Sequence, residues 1–262
     1  MGPRLVAPLR DAARGAARRR SAEPSGGLHD RVCGHAATLA RGVLEGEAMR
    51  TVEVSDELQR YLDGLVATRD PVLARMEEEA HRENIPIVDP HEGQLLYLLV
   101  KIARAKRVLE LGTATGYSGI WLLRATEGGT LTTFELDHKR AQRARANFSD
   151  AGMGKQALVM EEDAVTGLEK LDQRFDACFI DLLNVFPSED TTQRALELCL
   201  ERLDAGALLM ADNALRQGEV VSPKNQQARN VARYNQLVAK HPRLESVVIP
   251  IRDGLSVARV RD

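Results

Sequence analysis

The chain has 262 residues, of which 44% are hydrophobic, enough for one sizeable core. Its 36 Lys and Arg against 38 Asp and Glu leave a formal charge of -2. Nucleic-acid and anionic-membrane binders carry a basic excess, so this balance excludes them and points to small-molecule partners.

Three cysteines (Cys33, Cys178 and Cys199) match no zinc spacing, and the latter two sit in apolar runs that read as core. No apolar run approaches the ~20 residues of a membrane helix, and the N-terminus lacks the apolar stretch of a secretion signal. The expectation is a reducing, cytoplasmic setting without membrane contact.

Residues 1–48, beginning MGPRLVAPLRDAARGAARRR, are rich in Ala, Arg, Gly and Pro and are expected to be a disordered tail. It reads as a dispensable extension of a chain starting at Met49, or as an Arg-rich targeting arm. Residues 49–262 are expected to form a single domain.

From Ser55 the pattern turns helical. SDELQRYLDGLV follows a Ser cap, PVLARMEEEAHREN opens on a first-turn proline, and after a turn at IPIVDPHEG comes a third helix, GQLLYLLVKIARA. Beyond Ala105, short apolar runs alternate with amphipathic ones. RVLELG, TLTTFEL, ALVMEE, FDACFID and GALLMAD read as buried strands, separated by helices such as HKRAQRARANFSDAG and SEDTTQRALELCLERL. After the helical KNQQARNVARYNQLVAK, the strands ESVVIPI and GLSVARV are separated by RDG, a hairpin signal. The predicted fold class is α/β: a doubly wound, mostly parallel sheet with helices on both faces and an antiparallel C-terminal hairpin.

VLELGTATGYSG, residues 108–119, ends a strand at Glu110, turns tightly at Gly112 and Gly116, and opens a helix near Tyr117 and Ser118. The spacing differs from the G-x-G-x-x-G of dinucleotide sites, which disfavours an NAD enzyme. Glu135 ends the second strand about twenty residues on, where an acid can accept both hydroxyls of a ribose. Alone, it reads equally as a solvated strand-end acid. Asp163 and Ala164 end the third strand beside the same crevice, where an adenine could sit. The fourth strand ends at Asp181 and the fifth at Asp212 and Asn213. Adjacent parallel strands would bring these oxygens within range of one ion, and two carboxylates with an amide carbonyl suit magnesium, manganese or calcium.

These segments, with ADNALRQGEV and IPIRDGLSVAR, resemble the cation-dependent O-methyltransferases of the caffeoyl-CoA and catechol type, from about Ser55 to the C-terminus. The resemblance implies a seven-stranded Rossmann-like methyltransferase fold, S-adenosylmethionine (SAM) and a divalent cation holding the hydroxyl of a phenolic or catechol acceptor. Carried over, Val88 lines the methionine end of SAM, Glu110, Gly112, Thr113 and Ser118 surround its amino-acid part, Glu135 holds the ribose and Ala164 lies near the adenine. Asp181, Asp212 and Asn213 fall on the metal ligands, with Asp181 also facing the cofactor. Family members often pair, so the helices before the first strand are candidate homodimer surfaces. The family commonly reads Asp-Ala-Asp-Lys where this chain has Asp181, Leu182, Leu183 and Asn184, and Arg216 replaces a tryptophan. Asp181 and Asn184 thus occupy the catalytic positions, but Asn184 is no base. Either the cation alone acidifies the hydroxyl, or another group such as Lys224 takes the proton. The alternative is a catalytically silent SAM-binding module.

Overall fold

A computed structural model of the chain describes residues 54–66 and 69–262, so the predicted tail at 1–48 lies outside the described residues. Ser55–Asp262 forms one compact unit.

Among the described residues, three helices precede the first strand, and each begins on a polar cap. Ser55 accepts from Leu58 N and opens α1 (Asp56–Asp63); Asp70 accepts from Val72 N and Leu73 N and opens α2 (Pro71–Glu83). Asp89 accepts from Glu92 N and opens α3 (Pro90–Ile102). The third helix therefore starts three residues before the predicted GQLL. The cap and first-turn proline of DPHEG make it a helix start and not a turn, which puts Glu92 in the first turn of α3.

The strands are β1 (Arg107–Leu111), β2 (Thr130–Phe134), β3 (Ala157–Met160), β4 (Phe175–Ile180), β5 (Leu203–Ala211), β6 (Leu244–Ile249) and β7 (Leu255–Val260). They form one sheet in the order β3-β2-β1-β4-β5-β7-β6, parallel up to β5, with β7 antiparallel to both β5 and β6. Between the strands run α4 (Tyr117–Ala125), α5 (His138–Asp150), α6 (Ala164–Lys170), α7 (Glu189–Arg202), a 3₁₀ segment (Arg216–Val221) and α8 (Gln226–Lys240).

Alternation along the strands divides the core into two layers. Val108, Ala177, Phe179 and Met210 pack with Leu96, Val100, Ile120, Trp121 and Phe148 on one face; Leu109, Cys178, Ile180 and Leu209 pack with Leu168, Leu196, Cys199 and Tyr234 on the other. Both faces are buried, which explains why the parallel strands read as unbroken apolar runs. The Cys178 and Cys199 thiols are free and buried, 3.7 Å apart, as expected for core cysteines.

Two further boundaries differ from the sequence reading. β5 starts at Leu203 and not at Gly206, because a register irregularity against β4, between Phe175 and Ala177, absorbs the extra residues. The β6–β7 connection spans residues 250–254, so Pro250 and Ile251 leave the ladder together with RDG. Among the described residues, no helix is long and apolar enough to cross a membrane.

Candidate active site

The order of the sheet reverses at β1, which has β2 on one side and β4 on the other. At such a switch point, the loops beyond the carboxyl ends of the strands diverge and leave a crevice. Leu111 pairs with Ile180 and Ile180 with Ala211, so Gly112, Asp181 and Asp212 emerge side by side.

Gly112 has φ +102, and a Cβ there would lie 3.0 Å from the Asp181 carbonyl oxygen and 3.1 Å from Leu182 Cδ2. Only glycine lets the two strand ends approach so closely. Gly116, at φ +89, starts α4 with no side-chain cap, and its own N–H donates to Thr113 O at 2.8 Å. Val88, Thr113, Ala114, Tyr117, Ser118 and Asp181 line a small crevice at this point. The sequence reading named Val88, Thr113, Ser118 and Asp181 for this place.

Polar groups under the loop are satisfied within the chain. Glu110 is fully buried and accepts from Ser118 Oγ (2.6 Å) and Thr133 Oγ1 (2.7 Å), while Thr113 and Thr133 hydroxyls share a 2.6 Å hydrogen bond. Burial pushes the Glu110 carboxyl up to about 7, against the lowering effect of the two hydroxyls. Glu135 accepts from Ala114 N (2.9 Å) and Asp137 N (2.8 Å), which ties the end of β2 to the glycine loop. Asp163 is exposed and caps α6 by accepting from Thr166 N at 2.9 Å; Ala164 is buried in the layer containing Phe134 and Leu168. The carboxylate of Asp163 thus has a structural task that the sequence reading did not assign.

The β4–β5 side is different. Asp212, 4% exposed, accepts from Asn213 N at 2.5 Å, and Asn213 Oδ1 accepts from Asn184 Nδ2 at 2.5 Å. Asn184 is therefore tied to the predicted ligand Asn213, while its own Oδ1 is buried without a partner. Leu183 is buried in the core. Burial raises the Asp181 carboxyl well above its usual range, reinforced by the negative charges of Asp212 and Glu110. Burial likewise raises Asp212, with Arg252 opposing.

Sequence reasoning missed two participants. Glu92, 0% exposed, reaches this side from α3, and Arg252 reaches it from the β6–β7 connection. Arg252 Nη1 donates to Glu92 Oε2 at 2.6 Å and to Asp212 Oδ2 at 3.3 Å, and Arg252 Nε lies 3.4 Å from Asp89 Oδ2. Glu92 Oε1 is buried with no hydrogen-bond partner. Burial, then the charge of Asp212, pushes the Glu92 carboxyl up to about 8. The motifs HEGQ and IRDG carried these residues, but an acid in a helical first turn and an arginine in a hairpin both pass for surface groups.

Arg216 and Lys224 lie along the exit from β5. Arg216 N donates to Asn213 O at 3.2 Å, and its side chain pairs with Glu219 at 3.7 Å. Lys224 lines a cavity of about 400 Å³ with Gln217, Gly218, Glu219, Val221 and Ser222. Among the described residues, no three His, Cys, Asp or Glu side chains are grouped for a metal. A set of two carboxylates and an amide is of another kind.

A parallel sheet wound both ways from β1 and closed by an antiparallel pair is the fold of the Rossmann-like methyltransferases. Residues 65–261 match the family model described as O-methyltransferase, and the chain belongs to that family and is an enzyme of its kind. It is 29% identical over 223 residues to a catechol O-methyltransferase of Niastella koreensis, covering 80% of this chain and 99% of the relative. The O-methyltransferase TomG from Streptomyces achromogenes, involved in tomaymycin synthesis and solved in complex with SAM, superposes with a TM-score of 0.72 at 26% identity, over 82% of this chain and 100% of that one. An O-methyltransferase from Bacillus cereus in complex with SAH gives 0.69 at 28% identity, over 77% and 96%. Relatives named for methyl transfer weigh against a silent binding module.

Proposed function

We propose that this enzyme transfers the methyl group of SAM to a hydroxyl of a catechol-like small molecule, with a divalent cation held by Asp181, Asp212 and Asn213. The observation that carries this reading is the shortage of positive charge at the β4–β5 strand ends. Burial raises all three carboxyls, the charge of Asp212 pushes Asp181 and Glu92 up further, and Arg252 is the cation set against them. Buried carboxylates in such excess ask for a further cation, and hard oxygen donors suit magnesium, with manganese or calcium as substitutes. A divalent ion at this place would supply Lewis acidity that lowers the pKa of a bound hydroxyl.

The chain's own residues then have distinct tasks. Asn184 Nδ2 donates to Asn213 Oδ1 and would hold that amide in place as a ligand. Glu135 anchors the glycine loop and offers its remaining lone pairs to the SAM ribose. Gly112 brings the donor crevice against Asp181, so alignment is the main contribution to the transfer. Asn184 cannot accept the substrate proton. Lys224 is the candidate proton acceptor, in a cavity on the segment that follows Asn213 in the chain. The catechol O-methyltransferase relative supports the substrate class, and the SAM and SAH complexes support the donor.

The experiment is methyl transfer from SAM to a panel of catechols with Mg²⁺ and with excess chelator. Turnover is expected only with the ion; undiminished turnover in chelator removes the cation from this reading. Tighter calorimetric binding of NAD than of SAM would overturn the donor. A second copy is the proposed partner for the apolar groups before β1: Tyr61, Leu65, Leu98 and Ile102 are all exposed. A monomeric mass in solution would end that proposal.

A further inference from the structure

Arg252 is built into the acidic site by more than one feature. It sits at φ +45, a backbone conformation that a branched or long side chain rarely adopts, in the turn that delivers it to residues 40 and 160 positions away. Its guanidinium is held unequally: tightly by Glu92, at 2.6 Å, and loosely by Asp212, at 3.3 Å. Asp89 adds a third acid at 3.4 Å. Glu92 Oε2 is thereby committed to Arg252, while Asp212 is shared.

We infer, on the cation reading above, that Arg252 is a resident competitor of the divalent ion. Its fixed positive charge holds Asp212 when no ion is bound, keeps Glu92 out of the ligand set, and sets the affinity for the ion low enough for exchange. Two like charges in one partly desolvated site repel strongly, so the guanidinium and the ion cannot both draw fully on Asp212. The opposite role is a staple, in which Arg252 only fastens the hairpin to α3. A staple predicts that any loss of the guanidinium weakens the site.

Mn²⁺ titration of the full chain, followed by electron paramagnetic resonance of the free ion, separates the two. Arg252→Gln and Arg252→Met both remove the charge, and using both guards against one failing to fold; Arg252→Lys keeps the charge and loses the planar fork. Thermal melting checks each variant. Mn²⁺ affinity is expected to rise at least tenfold in the neutral variants and to stay within about threefold of wild type in Arg252→Lys. Binding by the neutral variants with none by wild type supports the competition in its strongest form. Equal or weaker binding in the neutral variants, with wild type binding normally, overturns the inference and leaves the cation reading standing. Absence of binding in every protein overturns both.

Discussion

The two sides of the crevice are built on opposite principles. Beside β1 and β2, both oxygens of Glu110 and both of Glu135 are bonded within the chain, and the Thr113 and Thr133 hydroxyls bond each other. Beside β4 and β5, Glu92 Oε1 and Asn184 Oδ1 are buried without partners, and several acids face one arginine. A buried polar group without a partner costs about 1–3 kcal/mol. The first side is complete as folded and need only receive its ligand. The second stores an electrostatic deficit that a ligand can relieve.

The largest test of this contrast is Asp212→Ala. Methyl transfer should fall by roughly 10³-fold, while calorimetric SAM affinity changes less than about threefold, because Asp212 belongs to the deficient side alone. Parallel losses of both would merge the two sides into one.

Next comes the pH dependence carried by Glu110. Its carboxyl lies at about 7 in the fold against an ordinary 4.5, so between those values the folded chain keeps a proton that the unfolded chain has released. Stability from this residue is therefore full below about 4.5 and declines as pH rises to about 7, by about 3 kcal/mol at 1.36 per pH unit. Glu110→Gln should be flatter with pH than wild type and more stable than it at pH 8, as read by urea melts. A variant whose pH profile overlays wild type would show that the hydroxyl pairing already offsets the burial.

Glu135→Ala should weaken SAM binding by about 10- to 100-fold, the worth of one or two hydrogen bonds to a charged acceptor, with the Mn²⁺ affinity unmoved. The smallest effect is expected at Asn184→Ala. Removing the donor to Asn213 should lower Mn²⁺ affinity by about tenfold, and leave SAM binding unchanged. If SAM affinity moves instead, Asn184 belongs to the first side.

The legibility of the molecule in its sequence follows the same division. The strands of the parallel sheet could be read because burial on both faces forces apolar runs, and Gly112 could be read because a tight turn has few alternatives, whereas Glu135 alone read equally well as a solvated strand-end acid. The start of α3 could be read only by giving Asp89 and Pro90 their weight as cap and first turn. Glu92 and Arg252 had no local signal at all. Their meaning arises from a 2.6 Å contact across 160 residues, and periodicity carries no information about a charge pair made by tertiary contact. Asn184 was recognisable as a departure, but its bond to Asn213 was not, since it depends on the path of the loop after β4.

The close passage of the Gly112 turn beside the Asp181 carbonyl, where an added Cβ would lie 3.0 Å from the oxygen, has a further consequence. It sets main chain beside main chain, so on the proposed function the spacing between methyl donor and acceptor would be a property of the backbone. If the proposed function holds, rewriting the segment from Arg216 to Lys224 should change which acceptors are taken without resetting the reaction distance. Selectivity and alignment would then be separable traits, and an engineer could vary the first while holding the second constant.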